Sequence, residues 1–91
     1  MSNNKKHLKK RINTILQSVI SELAAIPFYN NKVDKEELNS ILVSILLLRK
    51  HYIERISHIE PGIKPSIYFS DFKEKFNKDI SELIDQITNL E

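Results

Sequence analysis

Ile41-Leu42-Val43-Ser44-Ile45-Leu46-Leu47-Leu48 is aliphatic at every position except Ser44, a density that one core-facing stripe does not require. Advancing about 100° per residue, Leu48, Ile41, Tyr52, Ile45, Leu38, Ile56, Leu42, Ile53 and Leu46 fall in one arc of about 160°, the width of an amphipathic helix's buried face. Val43 and Leu47 lie outside that arc, one turn apart, among Ser40, Lys50, His51 and Glu54. A helix serving only a core would carry polar residues at both positions. The pair therefore marks either a second contact surface or tolerated surface apolars.

The helix that carries this stretch has a clear start. Asp34 is placed as its N-cap, Glu37 three residues later completes a capping box, and Val33 and Leu38 form a hydrophobic staple, so the helix is expected over 35–58. Upstream, Leu8, Ile12, Ile15, Leu16, Val19, Ile20, Leu23 and Ile26 recur by threes and fours and predict a helix over 4–26. Pro27 should end or kink it, because proline lacks the amide donor and its ring crowds the preceding turn. Downstream, Pro61 and Gly62 mark a turn and Pro65 suits the first turn of a third helix over 66–89. That helix should bury Phe69, Phe72, Phe76, Ile80, Leu83, Ile84, Ile87 and Leu90. Rods of similar length on short links favour antiparallel neighbours. The expected fold is thus all-α, a single domain over 1–91 folded as an antiparallel up-down-up three-helix bundle.

Composition narrows the function. A chain of 91 residues supports one core but no deep, multiply buttressed catalytic cleft. Cysteine is absent, which rules out a disulfide framework, a zinc ribbon and a thiol nucleophile. Lys5, Lys6, Lys9, Lys10 and Arg11 followed by apolar residues imitate a signal peptide. Asn13, Gln17, Ser18, Ser21 and Glu22 interrupt the apolar run at helical spacing, however, and Arg49 and Lys50 close the run over 41–48 well short of a membrane span. A soluble, cytoplasmic protein is expected.

The net charge of +2 is unevenly spread: the start of the chain is basic, whereas Asp79, Glu82, Asp85 and Glu91 follow the last lysine. Basic residues at a helix N-terminus oppose the macrodipole, so Lys5, Lys6, Lys9, Lys10 and Arg11 call either for neutralisation by Glu54, Glu60, Asp71 or Glu74 or for an anionic partner. Phosphate contacts by these side chains would make the chain a nucleic-acid binder. A wider basic face, an aromatic stacking platform and a helix-turn-helix link are all missing from the pattern. Insertion into a membrane surface is opposed by the core's need for the same apolar face.

Catalytic and metal-binding patterns are weak. His51, Glu54 and His58 share a helix side, but the histidines stand about 10 Å apart along the axis, too far to hold one ion unaided, and Glu54 is better placed to pair with His58. Ser57 and His58 are adjacent and point about 100° apart, so they cannot form a nucleophile and base. No phosphate-binding loop, nucleophile elbow or paired-carboxylate motif occurs. Tyr52 and Tyr68 need only send their hydroxyls to the rim of the core. No cofactor and no enzymatic activity are expected.

Arg55-Ile56-Ser57-His58-Ile59-Glu60-Pro61-Gly62, the Lys-rich start and the closing Ile84-Asp85-Gln86-Ile87-Thr88-Asn89-Leu90 resemble a group of short bacterial all-helical proteins. The resemblance implies a standalone helical protein of this size. It carries no activity, substrate or functional residue to transfer. The expected role is a non-enzymatic interaction module, a homodimer or a binder of another protein, that uses Val43, Leu47, Ser40, Ser44 and His51. The alternative is nucleic-acid binding through Lys5, Lys6, Lys9, Lys10 and Arg11.

Overall fold

The computed structural model describes residues 2–58, 62 and 64–90. It contains three α-helices, α1 (Ser2–Tyr29), α2 (Lys35–Ser57) and α3 (Pro65–Leu90), and no strand among the described residues. Each pair of helices is in contact, with the most extensive packing between α1 and α2. The molecule is a narrow rod of 50 × 19 × 15 Å.

One core runs its length. Ile12, Leu16, Val19, Leu23 and Ile26 from α1 meet Ile41, Ile45, Tyr52 and Ile56 from α2 and Tyr68, Phe72, Phe76, Ile80, Leu83 and Ile87 from α3. Hydrogen bonds fix how the rods sit. Arg49 Nε donates to Asn13 Oδ1 at 2.7 Å, Tyr68 Oη to the Arg55 carbonyl at 2.7 Å, and Asn30 Nδ2 to the Leu90 carbonyl at 2.9 Å.

The start of α2 is capped by Asp34, whose carboxylate accepts the Glu36 N–H at 2.9 Å. The expected return bond from Glu37 does not form among the described residues; Glu37 is exposed and the cap works through Asp34 alone. Val33 and Leu38 are half-buried against the core, as a staple requires. Asp34→Ala should therefore lower stability by about 1 kcal/mol in urea denaturation, whereas Glu37→Ala should leave it within a few tenths.

Pro27 does not end α1. The helix continues to Tyr29, and Asn30 N–H bonds to the Ile26 carbonyl at 2.8 Å. Burial of Ile26 and the Asn30–Leu90 bond hold this last turn in place, so the chain loses only the one backbone bond that proline cannot make. Asn30 also shapes the link that follows, because its Oδ1 accepts the Lys32 N–H and its carbonyl the Val33 N–H. Past α2, Gly62 has a φ of +90°, a conformation glycine adopts without strain. Pro65 is the first residue of α3, where its missing N–H has no helical role. The turn expected at Pro61 and the acidic group of Glu60 lie outside the described residues.

Candidate interaction surface

The buried face of α2 is narrower than its apolar arc. Ile41, Ile45, Tyr52 and Ile56 are buried and Leu38, Leu42, Leu48 and Ile53 are half-buried, but Leu46 at the edge of the arc is 51% exposed. The expectation that Leu46 belongs to the core is corrected here. Burial on that side of α2 falls off through the half-buried Leu42 and Ile53 before it reaches Leu46.

Val43 and Leu47 are 54% and 62% exposed, so with Leu46 they make an apolar surface on the outside of α2. Ser40, Ser44 and His51 flank it, all exposed. Ser44 Oγ donates to the Ser40 carbonyl at 3.1 Å, which satisfies the hydroxyl within its own helix and leaves a small, weakly polar step beside Val43 and Leu47. His51 packs edge-on against Tyr52 with ring centroids 5.1 Å apart. Glu36 and Lys50 lie seven residues to either side of Val43, both exposed and within about 20° of its direction.

A second exposed apolar group, Phe28 at 92%, stands just past Pro27 at the end of α1. Sequence periodicity ran out there and left it unassigned. On α3, Ile84 is exposed where burial was expected and Phe69 is only half-buried, while Tyr68 takes a core place. The buried face of α3 is turned toward α2 by its aromatic residues, which leaves Ile84 at the margin.

The basic cluster is partly sheathed. Lys5 and Lys9 are half-buried, whereas Lys6, Lys10 and Arg11 are exposed. None of the five makes an ion pair among the described residues, so neutralisation by Glu54, Asp71 or Glu74, one of the two alternatives, does not occur there, and Glu60 lies outside the described residues. Asp71 instead accepts from Lys75 at 3.1 Å and lies 3.8 Å from Arg55 Nη2. The Glu54–His58 side-chain pair is likewise missing among the described residues; His58 contributes its backbone N–H, bonded to the Glu54 carbonyl. Ser57 Oγ donates to the Ile53 carbonyl at 3.0 Å and is not oriented toward a base.

The best-defined polar contact joins α2 to α3. Tyr52 Oη donates to Asp79 Oδ2 at 2.5 Å, a short charge-assisted bond. Burial pushes the Tyr52 hydroxyl well above the usual tyrosine range, and the adjacent Asp79 carboxylate pushes it the same way. An ionised or nucleophilic phenol is thus disfavoured, and the pair serves to lock the helices. Arg55 caps this region with its guanidinium over the rings of Tyr68 and Phe72, at 5.3 and 5.5 Å from their centroids.

Among the described residues, no His, Asp and Glu side chains gather to hold a metal ion, and no helix is long and apolar enough to cross a membrane. No protein-family model, curated protein or solved structure matches the chain. Any functional reading therefore rests on its own residues.

Proposed function

We propose that the chain is a non-enzymatic interaction module that forms a homodimer through the outer face of α2. The observation that carries this reading is the exposure of Val43, Leu46 and Leu47 on a helix that already supplies four buried residues to its own core. In this reading the helices run up, down and up, an order supported by the Asn13–Arg49, Arg55–Tyr68 and Asn30–Leu90 contacts. The α2 face is then free along its length.

Charge supports a second copy as the occupant. If two α2 helices cross antiparallel on a twofold axis at Val43, residues equidistant from Val43 meet, which brings Glu36 against Lys50 of the second copy and Leu47 against Asn39 of the second copy. The two Glu36–Lys50 pairs flank a centre in which Val43 meets Val43 of the second copy and Leu46 meets Ser40 of the second copy, and Ser40 and Ser44 allow close approach. Covering the remaining exposed part of the three apolar side chains on both copies contributes roughly 5 kcal/mol. Set against the roughly 4–15 kcal/mol lost on association, this is too little by itself for a stable dimer, so the flanking Ser40, Ser44 and His51 and the two Glu36–Lys50 pairs must add to the interface.

Light scattering after size exclusion at rising protein concentration should show a species near twice the monomer mass. Val43→Glu with Leu47→Lys should return it to monomer with helicity unchanged. Lys50→Glu should weaken the dimer, and adding Glu36→Lys to that variant should restore it. A wild type that stays monomeric to high micromolar concentration sinks the proposal. Failure of the charge swap alone leaves the dimer and rejects the antiparallel register.

The second reading is nucleic-acid binding at the basic end, favoured by the exposed Lys6, Lys10 and Arg11, which lack carboxylate partners among the described residues. It requires an affinity that falls steeply with salt and disappears when Lys5, Lys6, Lys9 and Lys10 become Gln. A gel shift that fails at low salt removes it.

A further inference from the structure

We propose that the groove between α1 and α3 binds a single-chain amphiphile with an anionic head, such as a medium- or long-chain carboxylate. The groove consists of two adjoining hollows of about 340 and 220 Å³, which share Leu8, Arg11 and Lys73 as walls. Together they reach the lower end of the size range of small-molecule sites. Half-buried Leu8 and Phe69 line the larger hollow and half-buried Leu8 and Ile15 the smaller, with the fully buried core residues Ile12 and Phe72 directly behind them.

The rim has one sign of charge. Arg11 from α1 and Lys73 from α3 flank the groove, His7 adds a polar ring, and neither hollow is lined by a carboxylate. Neither cation has an acidic residue three or four positions away on its own helix, although Asp71 and Glu74 stand two and one positions from Lys73. The positions three and four residues from Arg11 are His7, Leu8, Thr14 and Ile15, and those from Lys73 are Phe69, Ser70, Phe76 and Asn77. The intrahelical pairs that normally neutralise surface charge are therefore unavailable to either residue. Neither makes an ion pair among the described residues; the nearby carboxylate of Asp71 is taken up by Lys75 and Arg55.

Two cations without ion-pair partners among the described residues, beside the apolar side chains of Leu8, Ile15 and Phe69, suit a ligand that is charged at one end and apolar along its length. A phosphate or nucleic-acid backbone would satisfy the rim and leave Leu8 and Phe69 without a partner. A neutral hydrocarbon would do the reverse. This groove lies apart from the outer face of α2, so the inference stands whether or not the chain dimerises.

The test is a titration of the isotopically labelled full chain, followed by amide chemical shifts, with hexanoate, octanoate and decanoate below their micelle-forming concentrations. Decanol and inorganic phosphate serve as the tail-only and head-only probes. Decanoate should shift amides in 7–15 and 69–77. Affinity should rise about two- to fourfold for each added methylene, as expected for a chain partly to fully withdrawn from water. Arg11→Gln with Lys73→Gln, both at exposed positions, should keep the native spectrum and weaken decanoate binding tenfold or more while changing decanol binding less than twofold.

Equal binding of phosphate and decanoate overturns the assignment, because it reduces the groove to a cationic patch. Equal binding of decanol and decanoate does so as well, by removing the role of Arg11 and Lys73. Shifts centred on Val43 and Leu47, tighter binding of a duplex oligonucleotide to the same amides, or no shift at all would also reject it.

Discussion

Replacing Phe72 with alanine is expected to cost about 3–5 kcal/mol, a large part of the roughly 5–14 kcal/mol available to a domain of this length. Phe72 is fully buried, meets Tyr52 edge-to-face at 5.0 Å and stacks with Phe76 at 6.4 Å, and lies beneath the Arg55 guanidinium. The substitution removes a ring from between two helices, and α2–α3 packing is less extensive than α1–α2 packing, so few other contacts compensate. Urea denaturation followed by circular dichroism should show the midpoint falling sharply or the chain unfolded in buffer. Leu46→Ala, from inside the apolar arc of α2, should change stability by no more than about 0.5 kcal/mol at concentrations below dimerisation. A large loss at Leu46 together with a small one at Phe72 would contradict the helical phase described here.

Tyr52→Phe is expected to lower stability by about 1.5–2 kcal/mol at neutral pH. It deletes a hydrogen bond to a charged acceptor while keeping the buried ring. Asp79 is only half-buried, so water can replace the lost donor and the cost stays near the lower end for charged bonds. The effect also depends on pH. Burial and then Asp79 raise the folded hydroxyl's pKa above the unfolded value of about 10, so the protonated form is favoured in the folded state. The contribution of Tyr52 is therefore fully present below about pH 10. It is lost as pH rises toward the folded value, because the unfolded chain ionises first and gains stability by up to about 1.4 kcal/mol per pH unit. The difference in unfolding free energy between wild type and Tyr52→Phe should shrink between pH 10 and 11. Titrating lysines affect both proteins alike and cancel. A difference that stays constant across this range would show that the hydroxyl is not held in its neutral form.

Spacing alone revealed the three helices because each needs a recurring apolar face and each interruption carries chemistry that backbone geometry cannot ignore. Asp34 supplies an acceptor for an orphan N–H, Gly62 takes a positive φ, and Pro65 begins a helix where its missing donor is harmless. The same arithmetic placed Val43 and Leu47 outside the core, and both are exposed. Pro27 was expected to end or kink the helix and does not end it, because the bonds that carry the helix past it come from Asn30 and from the distant Leu90 carbonyl. Phe28 gave no periodic signal, since it lies beyond the last recognisable stripe.

By itself, then, the sequence determined the all-α class, where α2 and α3 begin, most of the core and the outward direction of Val43 and Leu47. These depend on the geometry of a single helix and on the chemistry of neighbouring residues. Only the tertiary structure decided how wide each buried face is, which excluded Leu46 and Ile84. It alone joined Tyr52 to Asp79 and Asn30 to Leu90, and brought Arg11 and Lys73 to one groove. Those outcomes depend on the rotation of one helix against another. Ridge-into-groove packing of particular side chains sets that rotation, and the 3.6-residue period of an isolated helix carries no record of it.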